Sequence, residues 1–244
     1  MRYMEIVNIT LDSVGSTQAF AKENAHTYAK DKITCVSTKE QTKGVGRFHR
    51  PWLSPKGNIF ATFYFTLPKD SLHLTSLAQI MTLSFAEVLC NNNLAPKIKW
   101  PNDVLLNNHK CAGTLCEITF NKDHVDVFLG IGIDVNMSKE ECAQIDKPAT
   151  SLKVETGKDW SEEEILKALQ EQFAKDLTLF KEKGFDPFHS KFENLMAYIG
   201  EEITCFDGEK EYSGICHSLN SEGQLNLCID GDMRTIFSGD IENK

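Results

Sequence analysis

Apolar and polar positions along the chain switch repeatedly between a period of two and a helical period. Residues Glu5–Leu11 and Lys32–Ser37 are short and strand-like, the second rich in β-branched side chains. Between them, Ser13–Thr17 turns the chain into a helix running to about His26, with Ser16 or Thr17 placed to accept an orphan amide N–H at its start. Asn58–Leu67 is a nearly unbroken apolar and aromatic run and predicts a strand. Leu74, Leu77, Met81, Phe85, Val88 and Leu89 recur at helical spacing and predict a core helix over Leu74–Asn91. Lys97–Trp100, Val104–Leu106, Lys110–Phe120 and His124–Ile133 read as strands, with hairpin turns at Asn107-Asn108 and Asn121-Lys122-Asp123. After Ser161, the residues Ile165, Leu169, Phe173, Leu177 and Phe180 form one face of a second amphipathic helix, and Ser161 with Glu164 makes a capping-box pattern. Phe188, Phe192, Leu195 and Met196 predict one more short helix.

Two stretches break this rhythm. Lys39–Gly57 has no period, holds three glycines and two prolines, and is too long for an idle connection inside a compact domain. Beyond about Tyr198, short apolar pieces alternate with turn signals such as Asp207-Gly208 and Asp230-Gly231, the texture of a small all-β barrel. The predicted organisation is α+β: residues 1–197 as a mixed β-sheet domain with helices packed on it, and residues 198–244 as a C-terminal barrel.

Composition narrows the function classes. The 244 residues carry a formal net charge of -9, which argues against a non-specific nucleic-acid surface. No apolar run is long enough to span a bilayer. Eight cysteines without a C-x-x-C pair, and no signal peptide, predict reduced thiols in a cytoplasmic protein rather than disulfides or a zinc site.

On this acidic background, two segments concentrate cations beside glycines. One is Thr42-Lys-Gly-Val-Gly-Arg-Phe-His-Arg-Pro-Trp-Leu-Ser-Pro-Lys-Gly-Asn58; the other is Lys99-Trp-Pro-Asn-Asp-Val-Leu-Leu-Asn-Asn-His-Lys-Cys-Ala-Gly113. Glycines let backbone N–H groups approach an anion, and Arg or Lys supplies the matching charge. The pairing predicts a site for an anion that changes charge during reaction, such as a phosphate.

These segments carry a family likeness. Ser16-Thr17-Gln18, Gln41-Thr42-x-Gly44-x-Gly46-Arg47-x-x-Arg50-x-Trp52, Ser54-Pro55-x-Gly57-Asn58, Lys99-Trp100-Pro101-Asn102-Asp103, Lys110-x-Ala112-Gly113, Gly130-Ile-Gly-Ile-Asp-Val-Asn136 and Thr150-Ser151-Leu152 occur in order. The chain resembles the biotin protein ligases. That resemblance implies a class II synthetase-like catalytic domain followed by an SH3-like β-barrel. It also implies activation of biotin with ATP to biotinyl-5′-AMP, then transfer to a lysine of a biotin carboxyl carrier protein. Magnesium would enter as Mg-ATP, with no dedicated metal ligand assigned. A catalytic set of Arg47, Lys110, Lys99 and Asp103 is implied. Biotin would meet Ser16, Thr17, Gln18, Gln41, Gly44, Val45, Gly46, Arg47, Trp52, Lys110, Gly113 and Gly132. ATP would meet Arg47, Arg50, Trp52, Lys99, Asn102, Lys110, Asp134 and Asn136. No DNA or membrane partner is implied, and a homodimer is compatible with the family. The chain resembles the ligase-only kind, because no segment ahead of residue 11 is long enough for a helix-turn-helix.

Three positions depart from the pattern. The family loop commonly reads G-R-G-R-x-G-R-x-W, whereas Val45 stands for its first arginine and His49 for its third glycine. A positive φ at His49 would be strained by its Cβ. Asp134 stands where many members have Asn.

Taken singly, these residues have plainer readings. Ser16 and Thr17 serve as helix caps, Arg47 and Arg50 as solvated loop charges, Trp52 and Trp100 as core, Lys110 as an edge-strand lysine, and Gly130 and Gly132 as close-packing glycines. Their joint order favours the ligase. A lipoate-protein ligase of the same fold and a non-catalytic biotin- or carrier-binding module remain as alternatives.

Overall fold

The computed structural model describes residues 3–71 and 74–243. Among the described residues, twelve strands form two sheets. β1 (Ile6–Leu11) pairs in parallel with β2 (Ile33–Thr38), and α1 (Thr17–Asn24) connects them. Ser16 caps α1, its side chain accepting from the Ala19 N–H. β3 (Ile59–Pro68), β4 (Lys97–Lys99), β5 (Asp103–Leu106), β6 (His109–Phe120) and β7 (His124–Ile133) complete a seven-stranded mixed sheet in the order β1-β2-β3-β7-β6-β5-β4.

The central strands are buried on both faces, which is why β3 reads as a continuous apolar run rather than an alternation. Its odd-numbered residues Ile59, Ala61, Phe63, Phe65 and Leu67 join the main core. Against that face pack α2 (Leu77–Asn91), α5 (Glu162–Lys183) and α6 (Asp186–Leu195). The opposite face carries Tyr64 and Phe128, which pack with Ala21 and Ala25 from the α1 segment. On that same face stand Thr62, Gly130 and Gly132, two-residue steps from Tyr64 and Phe128, and the Lys39–Gly57 segment folds over them.

The β5–β6 turn at Asn107-Asn108 has φ of 47° and 64°, a left-handed pair that asparagine tolerates. The predicted elements appear with ends shifted by a few residues, and the helix foreseen to start at Leu74 opens with a 3-10 turn over Leu74–Ser76. Two short helices were not foreseen: α3 (Lys139–Cys142) and α4 (Leu152–Thr156). The reciprocal capping box falls at Ser138–Glu141, where each residue bonds the other's backbone N–H. At Ser161 only the serine half exists, its side chain accepting from Glu164 N at 3.2 Å.

The remaining strands are β8 (Glu202–Phe206), β9 (Glu211–Leu219), β10 (Leu225–Ile229), β11 (Asp232–Ile236) and β12 (Asp240–Asn243). They form an antiparallel sheet in the order β11-β10-β9-β8-β12, kinked by a register shift at Asn226/Leu227. Its inner residues Ile203, Cys205, Leu225, Leu227 and Ile241 are continuous with the core beneath the first sheet. The junction is also polar: the Gly223 carbonyl accepts from Gln79 Nε2 at 2.6 Å and Trp100 Nε1 at 2.9 Å. Among the described residues, no helix is long and apolar enough to cross a membrane.

Candidate active site

The site lies on the sheet face that carries α1. Its floor is glycine. Gly113 on β6 and Gly132 on β7 face each other across the ladder, and the Trp52 indole lies against both. A Cβ on Gly132 would come within 2.6 Å of that ring, and one on Gly113 within 2.9 Å of Lys110 Cε. Any side chain at either position would therefore evict the indole or the lysine. Lys110 Nζ stands 5.0 Å from the centre of the Trp52 ring. Gln18 lies over Gly130 in the same way.

At one end the floor is bordered by amides and hydroxyls. Gln41 Oε1 accepts from Thr17 N at 2.9 Å and from Thr17 Oγ1 at 3.2 Å, and Gln41 Nε2 donates to Ser54 Oγ at 3.2 Å. Thr62 donates to Thr17 Oγ1 at 2.9 Å, and Gln18 Nε2 donates to Glu117 Oε2 at 2.8 Å and to the Phe128 carbonyl. Thr17, Gln18 and Thr62 are buried, so this border is a fixed set of neutral donors and acceptors. Ser16 serves as the α1 cap beside it.

The other end is cationic. Lys110 Nζ meets Asp103 Oδ1 at 2.6 Å. Arg47 donates to Asn102 Oδ1 at 2.9 Å, to the Gly239 carbonyl at 3.0 Å and to Ser238 Oγ at 3.1 Å. Asn102 is itself held by donating to the Thr114 carbonyl at 2.6 Å. The Asp240 carboxylate accepts from Arg50 and has Lys99 at 4.0 Å and Lys147 at 3.9 Å. Burial alone would raise the Asp240 carboxyl, but the Arg50 hydrogen bond and the charges of Lys99 and Lys147 outweigh it and hold it below its ordinary range. Burial pushes the Lys99 ammonium and the Arg47 guanidinium down, with nearby carboxylates opposing.

The Lys39–Gly57 segment ties the two ends together. Gly46 N donates to the Arg50 carbonyl and Trp52 N to the Gly44 carbonyl, both at 2.9 Å. Val45 pairs with Pro51 and leaves its side chain exposed. At the tip, Phe48 and His49 both have φ of 56°. Left-handed backbone at non-glycine residues costs about 1–2 kcal/mol each. Backbone strain of this kind gathers at functional sites, held there by the surrounding structure. The Phe48 ring lies beside both Arg47 and Arg50, 5.0 and 5.4 Å from their guanidinium carbons.

Of the residues singled out in the sequence, one stands apart. The Asn136 side chain donates to the Trp160 carbonyl and Glu162 Oε1 and accepts from Trp160 N, all at 2.9 Å. Both ends of its amide are occupied in fixing the start of α5. Asp134 is buried within the field of Lys110. Asp240, Lys147, Thr62 and Ser54 are additions. Thr62 had a signal, a threonine hydroxyl in the middle of an aromatic strand. Asp240 and Lys147 had none, because their partners are remote in sequence.

Comparison with known proteins places the chain in a family. The family model for the biotin/lipoate A/B protein ligase family matches residues 11–134. The bifunctional ligase/repressor BirA of Escherichia coli (strain K12) is 28% identical over 229 residues, covering 90% of this chain and 71% of that protein. The biotin–[acetyl-CoA-carboxylase] ligase of Paracoccus denitrificans is 32% identical, covering 79% and 82%. The structure of the Aquifex aeolicus biotin protein ligase in complex with biotin and ATP superposes with a TM-score of 0.82 at 34% identity, covering 96% of this chain and 97% of that one. The chain belongs to the biotin/lipoate A/B protein ligase family.

Proposed function

We propose that this protein is an ATP-dependent biotin–protein ligase. One observation carries the reading: a neutral amide-and-hydroxyl border and a cationic border face each other across a glycine floor. Biotin has a ureido head that takes neutral hydrogen bonds and a carboxylate tail that takes cations, so its two ends match the two borders. Thr17, Gln18 and Gln41 would receive the head. Lys110 and Arg47 would meet the tail and the α-phosphate, and Arg50 and Lys99 the remaining phosphates. The Aquifex relative, described with biotin and ATP bound, supports the pairing of substrates.

In the first step a biotin carboxylate oxygen bonds to the α-phosphorus of ATP, the bond to the bridging oxygen breaks, and pyrophosphate leaves. Negative charge develops between fixed cations, where electrostatic stabilisation is strongest. In the second step an acceptor lysine amine attacks the biotinyl carbonyl, AMP leaves with the bonding electrons, and the amine loses a proton. Asp103, held beside Lys110, is the carboxylate suited to take that proton. Magnesium would enter bound to the triphosphate. A biotin carrier domain of a carboxylase is the acceptor that the relatives' names support. All eight cysteines are free, which suits the reducing cytoplasm.

The test is incubation with ATP, magnesium, biotin and a biotin carrier domain, followed by mass spectrometry of the acceptor. One biotin-sized adduct on one lysine is expected. No adduct, where a known ligase gives one, would sink the reading. Efficient replacement of biotin by lipoate would move the protein to the lipoate branch of its family.

A further inference from the structure

β6 and β7 run antiparallel beneath the site, and their paired positions step away from the cations. Gly113 pairs with Gly132, then Leu115 with Gly130, then Glu117 with Phe128. Positions two apart on a strand share a face, so Glu117 stands at the far, neutral end of the face that bears Gly113. Glu117 Oε2 accepts from Gln18 Nε2 at 2.8 Å, and Glu117 Oε1 meets Lys22 Nζ at 2.6 Å. The Phe128 carbonyl takes the second Gln18 N–H at 3.0 Å. Both amide hydrogens of Gln18 are therefore spent on this one cross-strand pair.

An amide held by its nitrogen turns its oxygen the other way. Gln18 Oε1 lies over Gly130, where a Cβ would come within 2.9 Å of it, and Thr62 Oγ1 stands 3.1 Å away. Thr62 Oγ1 is also 2.9 Å from Thr17 Oγ1, whose own proton goes to Gln41 Oε1 at 3.2 Å. A hydroxyl has one proton, and that of Thr62 has two oxygens to serve. One of them is always left as an open acceptor beside the glycine floor. With the Gln18 amide turned about, its NH2 would face Thr62 and the same place would hold a surplus of donors. Of the two acceptors that fix the orientation, Glu117 is the charged one. Burial alone would raise its carboxyl, but hydrogen bonds from Lys22 and Gln18 and the charges of Lys22 and His49 outweigh it and hold it below its ordinary range. A hydrogen bond to such an anion is roughly twice as strong as one to a neutral carbonyl.

Resting on the ligase reading, we infer that Glu117 is a positioning residue for the biotin head: it holds Gln18 by the amide nitrogen and so turns the Gln18 oxygen onto the glycine floor as the acceptor for a ureido N–H. Glu117 does not touch the ligand. It selects for it, because a buried acceptor left without a donor is costly, and a head group lacking an N–H leaves it so. A role in holding the fold together is the weaker reading. The Lys22–Glu117 pair leaves 40% and 39% of its side chains exposed, and exposed pairs add little to stability. Loss of the carboxylate should therefore show in binding before it shows in stability.

The test measures biotin affinity by calorimetry, and KM and kcat in biotin-dependent pyrophosphate release. The proteins compared are the wild type, Glu117→Ala, Glu117→Gln, Gln18→Ala and the double variant Glu117→Ala with Gln18→Ala. Nitrogen-15 NMR follows the Gln18 side-chain amide, identified by its loss in Gln18→Ala. Glu117→Ala should weaken biotin about tenfold in both Kd and KM, while kcat and the KM for ATP change by less than about twofold. Glu117→Gln keeps an acceptor oxygen for Gln18 and should recover most of the loss. In the Gln18→Ala background, removing Glu117 should cost nothing further, because residues acting through one contact are not additive. The Gln18 amide signals should shift in Glu117→Ala. Undiminished biotin affinity in Glu117→Ala overturns the inference. So does the full loss persisting in the Gln18→Ala background, an equal loss for ATP, or Gln18 amide signals indifferent to Glu117. If those signals respond to Glu117→Ala yet the wild type neither binds biotin nor releases pyrophosphate, the hold on Gln18 stands and the ligase reading falls.

Discussion

At the scale of single residues, the Lys99–Asp103 run assigns a different neighbour to each side chain. Lys99 faces Asp240. Trp100 is core and sends its indole N–H into the C-terminal sheet at Gly223. Asn102 orients Arg47 from one side while holding the Thr114 carbonyl on the other. Asp103 holds Lys110. Lys110 is the cation in contact with both the glycine floor and Trp52, so its charge is fixed before any reactant arrives. Lys110→Ala should slow single-turnover adenylate formation by roughly a hundredfold, the usual loss of one preorganised charge. A rate within a few-fold of wild type in rapid-quench measurements would remove Lys110 from the chemistry. Much of this was readable in the sequence, because cations beside glycines predict an anion site whatever the fold. Asn136 shows the limit: nothing near it in sequence announces that Trp160 and Glu162, two dozen residues on, use both ends of its amide.

At the scale of elements, the aperiodic Lys39–Gly57 segment is the informative one. Its sequence predicts only a loop of unusual length. Its structure is a short hairpin-like tip pinned to the C-terminal sheet by Arg47 and Arg50. No local pattern encodes that contact, since the partners Ser238–Asp240 lie about 190 residues away. The same reason hid α3 and α4: four or five residues are too few to show a helical period. Their caps at Ser138 and Ser151 were the available signal. Long elements such as β3, α2 and α5 were legible because burial on a whole face imposes a repeat. The pinning also sets the loop's stability. Asp240→Asn removes the carboxylate shared by Arg50, Lys99 and Lys147. Losing one charge-assisted contact of about 1.5–3 kcal/mol should speed amide exchange across Gly44–Trp52 by roughly tenfold or more in the ligand-free protein. Unchanged exchange in that segment would show that Asp240 does not anchor it.

At the scale of the whole molecule, the C-terminal sheet is too small to supply a core of its own. It closes one shared with the first sheet, and its inner residues Ile203, Leu225, Leu227 and Ile241 sit in the same apolar cluster as α2 and α6. The sequence signalled a change of texture near Tyr198, but not that the seam would be sealed by hydrogen bonds to Gly223 and by the Ser76 hydroxyl on the Glu222 carbonyl at 2.8 Å. Shared burial makes the two sheets cooperative: neither can open without exposing apolar surface of the other. The chain should therefore unfold in one transition, with calorimetric and van't Hoff enthalpies equal and with tryptophan fluorescence and far-ultraviolet dichroism coincident. Trp100→Phe keeps an aromatic ring but deletes the donor to Gly223, weakening the seam while leaving only a small void in the core. It should lower the stability of that single transition by about 1–3 kcal/mol while leaving it single. Two resolved transitions in the variant or the wild type, with the smaller lost on removing residues 198–244, would mean that the C-terminal sheet folds as an independent unit. The coupling between Asp240 and the active-site loop would then be a contact between separately stable bodies.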